Sequence, residues 1–217
     1  MLHASAEQER DTVSSTEECI RCLTCLRICP HTAMHLSASA ARSTYGAVAG
    51  LCQECGICVA ECPRLVLDLT SFPEAAIRSF VEEVKRVQDS RPIVVYGCAR
   101  SAGRAAAQIK MPQGILFFSV PCAGRVSETV LWATLAAGAR GVLVVGCHHG
   151  NCSSESGTDW ARARVESTAE KLGDGQAVDV PVKFAALAAI EPSRFCRIIN
   201  EFASSLHFEC DLVTAVS

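Results

Sequence analysis

The second half of the chain alternates between two patterns of apolar residues. From residue 91 onward, short continuous apolar runs are followed by longer segments in which apolar residues recur every three or four positions. The runs predict buried strands and the spaced segments predict helices. The predicted strands are residues 93–96, 115–120, 142–145 and 182–187, and the predicted helices lie near residues 102–110, 126–139, 159–172 and 191–206. This alternation predicts an α/β, flavodoxin-like domain of three layers, with a mostly parallel sheet of at least four strands.

The first half contains fewer predicted elements. Short apolar runs at residues 33–36 and 65–69 predict small strands. Apolar residues at helical spacing within residues 73–88 predict an amphipathic helix that joins the two halves and packs against a neighbour. These apolar residues are Ile77, Phe80, Val81, Val84 and Val87. Pro92 follows the helix and ends it, because a proline disfavours helical geometry in the residue before it.

Composition and charge indicate a globular chain with a core of ordinary size. Of its 217 residues, 49% are hydrophobic and 20% are charged, which suits one or two domains. The net charge of −3 offers no basic surface for nucleic acid. The first 18 residues lack the apolar core of a signal peptide, and the longest apolar stretch, residues 131–147, is interrupted by Arg140 and several glycines. We therefore expect a cytoplasmic protein without nucleic-acid binding or membrane insertion.

Fourteen cysteines are the strongest chemical signal in the sequence. Eight of them form two copies of one motif, 33 residues apart, in which three cysteines at spacing three are followed by a fourth cysteine and a proline. The two copies are Cys19, Cys22, Cys25, Cys29 and Pro30, and Cys52, Cys55, Cys58, Cys62 and Pro63. A disulfide framework would suit a shorter chain behind a signal peptide, so this spacing indicates metal binding in a reducing compartment.

Together the two copies of the motif can bind two four-iron clusters. Three closely spaced thiolates surround one cluster, and the fourth, next to the proline, ligates the other cluster. The predicted ligands are Cys19, Cys22, Cys25 and Cys62 for the first 4Fe–4S cluster and Cys52, Cys55, Cys58 and Cys29 for the second. Gly56, inside the second loop, leaves space for the sulfides. Structural zinc is the alternative, although zinc ribbons use paired Cys-x-x-Cys units.

The eight cysteines and two prolines of residues 17–69 resemble the bacterial two-cluster ferredoxin module. The resemblance implies an α+β, ferredoxin-like fold for this part of the chain. We therefore predict a polar N-terminal tail over residues 1–16, a two-cluster 4Fe–4S domain over residues 17–70, a linker helix over residues 71–91 and a cluster-binding α/β domain over residues 92–217.

Four further cysteines follow the predicted strands of the second half. Cys98, Cys122 and Cys147 come after the first, second and third strands, and Cys152 lies in the same loop as Cys147. Ligands bind at the carboxyl edge of an open parallel sheet, and a strand order of two-one-three would gather these cysteines there. A single cysteine at a strand end is often only a small buried hydrophobe, so the prediction depends on the convergence of all four.

The remaining metal-ligand candidates are weaker. His148 and His149 could ligate a metal, but histidines in loops are more often solvated. Cys196 and Cys210 fall in the last helix and the tail, away from the strand ends, and we assign both to packing.

Residues 92–202 resemble the delta subunit of methyl-viologen-reducing hydrogenase, an iron–sulfur family associated with heterodisulfide reductases. The resemblance rests mainly on the segments YGC at residues 96–98, PCAGRV at residues 121–126 and GARGVLVVGCHHGNC at residues 138–152. It implies one 2Fe–2S cluster with the ligands Cys98, Cys122, Cys147 and Cys152. This chain departs from the family at Ser101 and Ser153, where a cysteine and a histidine are usual. Four thiolates remain, which suffices for a two-iron cluster.

These features predict an electron-transfer subunit that converts no substrate itself. No Gly-x-Gly-x-x-Gly follows a predicted strand, so we expect no flavin or nucleotide site. By resemblance, the partners are a flavin-containing, heterodisulfide reductase A-like subunit and a hydrogenase, formate dehydrogenase or acyl-CoA reductase core in anaerobic metabolism. Arg125 and Arg100 are candidates for tuning the cluster potentials.

Two other functions remain open at this point. A cluster beside a free thiol such as Cys196 would make the chain a disulfide reductase, which predicts turnover of a disulfide by the isolated chain. Zinc in the cysteine sites would make it a structural adaptor without a redox role. A brown protein that is bleached by dithionite would exclude the zinc adaptor.

Overall fold

The computed structural model describes residues 13–15, 18–39, 42–48, 50–173, 181–208 and 214–215. Its helices are α1 Thr24–Ile28, α2 Ile57–Ala60, α3 Glu74–Arg86, α4 Ala102–Ala106, α5 Glu128–Ala136, α6 Gly157–Gly173 and α7 Pro192–Ser205. Its strands are β1 Val13–Ser15, β2 Met34–Ser39, β3 Arg42–Ala47, β4 Leu67–Leu69, β5 Ile93–Cys98, β6 Ile109–Lys110, β7 Ile115–Val120, β8 Gly141–Gly146, β9 Val182–Ala186 and β10 Thr214–Ala215. No helix within these ranges is long and apolar enough to cross a membrane.

The first half contains a four-stranded antiparallel sheet in the order β2-β3-β1-β4. Strands β2 and β4 overlap the two small strands predicted from sequence, whereas β1 and β3 were not predicted. β1 lies within the segment predicted as a polar tail, and it pairs Val13 with Leu69 of β4. The sheet of this half therefore begins before residue 17, and residues 1–12 lie outside the described ranges.

The second half contains a parallel sheet in the order β7-β5-β8-β9. The first strand of this half, β5, pairs with β7 on one side and β8 on the other, with Ile93 level with Ile115 and Gly141. Numbered by their order in the chain, the four strands therefore lie across the sheet in the order two-one-three-four. The prediction of a mostly parallel sheet of at least four strands is confirmed.

Helices cover both faces of this sheet and bury its two central strands, β5 and β8, completely. Val94 and Tyr96 of β5 belong to the apolar core that includes residues of α3, α5 and α6, whereas Ile93 and Val95 belong to the core that includes residues of α4 and α7. All six residues of β5 are buried. The continuous apolar runs of the sequence reflect this burial, since a strand covered on both faces has no polar side.

The predicted linker helix is α3, and it is part of the helical layer of the second half. Its buried residues Ile77, Phe80 and Val84 lie in the same core as Tyr96. Phe80 stacks on Phe118 of β7, with 4.4 Å between the ring centroids. The helix therefore joins the two halves and also covers one face of the parallel sheet.

The prediction of one helix over residues 102–110 was wrong at its carboxyl end. α4 ends at Ala106, and Ile109 and Lys110 form β6, which pairs antiparallel with β10. The sequence spacing could not reveal this pairing, because β10 lies about a hundred residues further along the chain.

Candidate functional site

The carboxyl edge of the parallel sheet brings four cysteines together. Cys98 is the last residue of β5, Cys122 lies two residues beyond β7, and Cys147 follows β8 directly. These three are buried, and Cys152, in the loop after β8, is half-buried. The strand order places β5 between β7 and β8, which is why loops far apart in the sequence meet here.

The four sulfur atoms form a closed ring in which each interacts with two others. The Sγ atoms of Cys98 and Cys147 are 3.9 Å apart, and Cys122 interacts with both Cys98 and Cys152, while Cys152 also interacts with Cys147. The interactions with Cys122 and Cys147 lower the pKa of Cys98 and of Cys152. The same interactions raise the pKa of Cys122 and of Cys147.

Gly157, at the start of α6, lies against this ring. A Cβ atom at Gly157 would overlap the Sγ atom of Cys122 and lie 3.3 Å from that of Cys152. The backbone N–H group of Thr158 interacts with the Cys152 sulfur and lowers the pKa of Cys152, although the thiols of Cys122 and Cys147 have the larger effect. The first turn of a helix favours negative charge, so this end of α6 suits a thiolate.

The two positions at which this chain departs from the family, Ser101 and Ser153, differ in burial and in contact with the ring. The Ser101 hydroxyl is buried, has no nitrogen or oxygen partner, and lies near the sulfurs of Cys98 and Cys147. Ser153 is exposed. An orphaned hydroxyl aimed at sulfur suits a bound iron–sulfur group, since hydrogen bonds to sulfur are a common feature of such sites.

The two cysteine loops of the first half share one backbone geometry. Left-handed φ angles occur at Arg21 and Leu23 in the first loop and at Glu54 and Gly56 in the second, 33 residues later in each case. Such conformations cost energy in residues other than glycine and persist where the surroundings enforce them. When left-handed and right-handed residues alternate, successive backbone N–H groups point toward one position, which suits an anionic group. The duplication seen in the cysteine spacing therefore extends to the backbone.

The second loop is joined by a cysteine of the first. Burial raises the pKa of Cys58, and the like charges of Cys55, Cys29 and Cys52 raise it further. The same four cysteines line one cavity, together with Pro30. Cys29 thus lies with the second loop, as the interleaved ligand sets require.

Three cysteines of the first loop lie close together. Burial raises the pKa of Cys25, to which Cys19 and Cys22 add as like charges, so these three are near neighbours. Cys62 packs on the same apolar cluster as Cys19 and Cys25. Its role as the fourth ligand stays a prediction. In the described part of the chain no three His, Cys, Asp or Glu side chains are arranged to hold one metal ion, so the fit to clusters rests on the pairwise contacts and the donor chemistry.

Two buried arginines of the second half bind carboxylates from earlier in the chain, Glu74 of α3 and Glu61 of the second cysteine loop. Arg125 is 1% exposed, and its Nη2 atom lies 2.5 Å from Glu74 Oε2 while its Nε atom has no partner. Arg164 donates from Nε to Glu61 Oε1 and from Nη1 to the carbonyl oxygens of Gly124 and Val126, at 2.8 and 2.9 Å. Burial lowers the pKa of Arg164, which the Glu61 carboxylate opposes.

Arg125 and Arg100, the two residues predicted to tune the potentials, lie in different surroundings. The buried side chain of Arg125 passes over Gly56, where a Cβ atom would overlap its Cδ atom. The Arg100 side chain is exposed, and it is the backbone of this residue that bonds to the Cys98 sulfur. Their tuning roles stay predictions.

The two histidines pair with carboxylates. His148 Nε2 lies 2.9 Å from Glu191 Oε2, and His149 Nδ1 lies 3.0 Å from Asp159 Oδ1. The His148 interaction lowers the pKa of Glu191.

Cys196 does not belong to either cysteine site. It is buried in α7, in the core on the face of the sheet opposite Tyr96. Its assignment to packing agrees with this position, which offers no support for a disulfide reductase that uses its thiol. Cys210 lies outside the described residues.

Sequence reasoning missed Ser154 as a site residue. Ser154 is 4% exposed, two residues after Cys152, and it contacts the cysteines of both halves. The only sequence signal was its position in a cysteine loop, which it shares with the exposed Ser153.

Comparison with known proteins agrees with both halves of this description. The family model of methyl-viologen-reducing hydrogenase, delta subunit, matches residues 93–208, and a 4Fe–4S binding domain model matches residues 16–45 and 49–70. The vhu iron–sulfur subunit of the F420-non-reducing hydrogenase of Methanopyrus kandleri is 31% identical over 106 residues, covering 49% of this chain and 79% of that protein. The iron–sulfur subunit of the F420-non-reducing hydrogenase of Archaeoglobus profundus is 27% identical over 111 residues, covering 50% and 81%.

A longer but partial match is to one subunit of the ferredoxin/F420H2-dependent CoB-CoM heterodisulfide reductase of Methanosarcina acetivorans. It is 27% identical over 146 residues, which cover 64% of this chain but only 18% of that protein. The match therefore bears on a small part of the reductase protein. Since the delta-subunit model spans more than half of the chain, this protein belongs to the family of the delta subunit of methyl-viologen-reducing hydrogenase.

Proposed function

We propose that this protein is an iron–sulfur electron-transfer subunit of an oxidoreductase complex. The observation that carries the proposal is the closed ring of four cysteine sulfurs at the carboxyl edge of the parallel sheet. Four converging thiols in the absence of any disulfide among the described cysteines are a suitable donor set for a 2Fe–2S cluster.

The proposed cofactors are two 4Fe–4S clusters and one 2Fe–2S cluster, which supply one-electron chemistry when bound. The ligands of the first 4Fe–4S cluster are Cys19, Cys22, Cys25 and Cys62, those of the second are Cys52, Cys55, Cys58 and Cys29, and those of the 2Fe–2S cluster are Cys98, Cys122, Cys147 and Cys152. The matching 4Fe–4S domain model supports iron–sulfur binding in the first half.

The surrounding residues exclude water and stabilise negative charge on sulfur. Cys58, Cys98 and Cys122 are each less than 7% exposed, so little water reaches these sulfurs. The start of α6 and the Ser101 hydroxyl lie beside the ring, and hydrogen bonds and burial are the means by which a protein sets a cluster potential. The Arg125 guanidinium, buried between the halves, is a candidate for the same role.

The proposed partners are other oxidoreductase subunits. Relatives of this chain are named as iron–sulfur subunits of F420-non-reducing hydrogenases and as a subunit of a CoB-CoM heterodisulfide reductase. We infer that the chain relays single electrons between a flavin-containing, heterodisulfide reductase A-like subunit and a hydrogenase, formate dehydrogenase or acyl-CoA reductase core.

Anaerobic iron and sulfide analysis with electron paramagnetic resonance (EPR) tests the proposal. We expect about ten irons per chain, the sum of two four-iron clusters and one two-iron cluster. Cys122→Ser should abolish only the 2Fe–2S signal. Cys196→Ser is the matched control, since Cys196 is also buried but lies on the other face of the sheet, and it should keep all three signals. Zinc without iron, or three intact signals in Cys122→Ser, would contradict the proposal.

A further inference from the structure

The two halves of the chain pack against each other at the cysteine sites. A small apolar cluster joins Cys55 and Ile57 of the first half to Cys122 and Cys152 of the second. Ile57 is fully buried, and a Cβ atom at Gly124 would lie 2.8 Å from its Cγ1 atom. The loop that carries Cys122 therefore lies directly on the loop that carries Cys55, with no space for a side chain at Gly124.

Ser154 contacts a cysteine of each half within this junction. The buried Ser154 side chain donates a hydrogen bond to the Cys55 sulfur. The backbone N–H group of Ser154 donates to the Cys152 sulfur. One buried residue thus connects a proposed ligand of the second 4Fe–4S cluster to a proposed ligand of the 2Fe–2S cluster.

From this packing we infer that Ser154 is the positioning residue that couples the second 4Fe–4S site to the 2Fe–2S site, and that single electrons cross between the halves at this contact. The inference rests on the proposed function. Each crossing oxidises one site by one electron and reduces the other by one, with no proton or further reactant. The proposed ligands of the first 4Fe–4S cluster are all described, and none belongs to the apolar cluster at the junction. Exchange between the first and the 2Fe–2S cluster therefore runs through the second.

A hydroxyl that donates to a ligand sulfur stabilises the reduced, more negative cluster and raises its reduction potential. Ser154→Ala removes this donor and keeps the backbone N–H group. We expect the equilibrium constant for reduction of one 4Fe–4S cluster to fall three- to tenfold. A tenfold fall lowers the reduction potential by about 59 mV for one electron. Ser154→Thr keeps a hydroxyl and should restore the potential. Ser153→Ala, which removes the exposed hydroxyl next in the chain, is the matched control and should change nothing.

EPR power saturation measures the junction itself in the unmodified protein with its clusters bound. The reduced 2Fe–2S signal should relax faster when the 4Fe–4S clusters are reduced than when they are oxidised, because a paramagnetic neighbour lies close by. This enhancement should persist in Cys19→Ser, which disrupts the first cluster, and disappear in Cys58→Ser, which disrupts the second.

The outcomes separate the inference from the proposed function. If all three clusters are present but the 2Fe–2S relaxation is the same in both states, the junction does not couple the sites and the inference is overturned. Unchanged potentials in Ser154→Ala with all clusters bound would overturn the assigned role of its hydroxyl. Absence of the clusters from the unmodified protein would instead overturn the proposed function. If Ser154→Ala fails to assemble its clusters while Ser154→Thr assembles them, the hydroxyl is required at the site, and the relaxation measurement on the unmodified protein still tests the junction.

Discussion

Gly157 begins α6 at a point where the backbone touches two cysteine sulfurs. Its position next to Cys122 and Cys152 leaves no volume for a methyl group. The glycine therefore allows the amino end of a long helix to approach the sulfur ring closely, which places the first N–H groups of α6 beside Cys152.

Gly157→Ala should prevent normal assembly of the 2Fe–2S site. The added methyl group overlaps the Cys122 sulfur, so the ring must open or α6 must move, and overpacking of this kind costs about 1–3 kcal/mol. EPR of the reduced protein should show loss of the 2Fe–2S signal with both 4Fe–4S signals kept. Gly50→Ala is the control, since no atom lies within 4 Å of the Cβ position there. A full 2Fe–2S signal in Gly157→Ala would show that the ring is placed differently.

At this scale the sequence predicted the cysteines better than their surroundings. Spacing alone predicted that Cys29 joins the second loop, and the structure places it there. Spacing did not predict the left-handed conformation of Leu23, because leucine has no preference for it. Only the equivalent residue of the second loop, Gly56, is of a type that favours this conformation. Ser154 was also missed, because its role depends on contact with the other half of the chain.

Among the elements, β5 is central, since it pairs with two strands and faces helices on both sides. Tyr96 of β5 is fully buried and bonds to Thr134 Oγ1 of α5 at 2.7 Å. Thr134 in turn donates to the Val130 carbonyl oxygen, so the Tyr96 hydroxyl is the donor between strand and helix. Burial raises the pKa of Tyr96 well above its ordinary value.

The raised pKa of Tyr96 predicts a loss of stability at alkaline pH. Tyrosine ionises with a pKa near 10 in the unfolded chain. Below that pH both states bind the proton; above it only the folded state does, so the free energy of unfolding falls as the pH rises above about 10. Denaturation at a series of pH values should show this fall in the parent protein and a smaller fall in Tyr96→Phe. Tyr96→Phe should also lose about 1 kcal/mol at neutral pH with the hydrogen bond. An equal alkaline fall in both proteins would contradict the prediction.

The strands of the parallel sheet were predicted most easily. β5 and β8 are buried throughout and have continuous apolar runs, and β7 and β9 were found although Ser119 and Lys183 interrupt their runs. The paired strands β6 and β10 have two residues each, and β1 has three, which is too short for any periodicity to appear. Their pairing depends on distant parts of the chain, so local sequence carries little information about them.

At the scale of the whole molecule, the two halves form one packed body around the cysteine sites. Ile57 packs on Gly124, the Arg125 side chain lies over Gly56, and Arg164 pairs with Glu61. The sequence predicted two domains and a linker but not this interface, because an arginine next to a cysteine loop looks like surface charge until its partner is known. In the sequence, Glu61 lies between Cys58 and Cys62. The ion pair of Arg164 with Glu61 therefore holds a cysteine loop of the first half against α6.

Arg164→Met should therefore destabilise the interface between the two halves. The substitution removes the donor to three acceptors, the carbonyl oxygens of Gly124 and Val126 and the carboxylate of Glu61, at a cost of about 3 kcal/mol. Urea denaturation followed separately by cluster absorbance and by circular dichroism should give one transition for the parent protein and two for the variant. Lys171→Met is the matched control on α6, since its ion pair with Glu128 is more exposed and should contribute no more than about 1 kcal/mol. If both variants unfold alike, the buried pair contributes no more than a surface pair, and the packing at Gly56 and Ile57 holds the halves together.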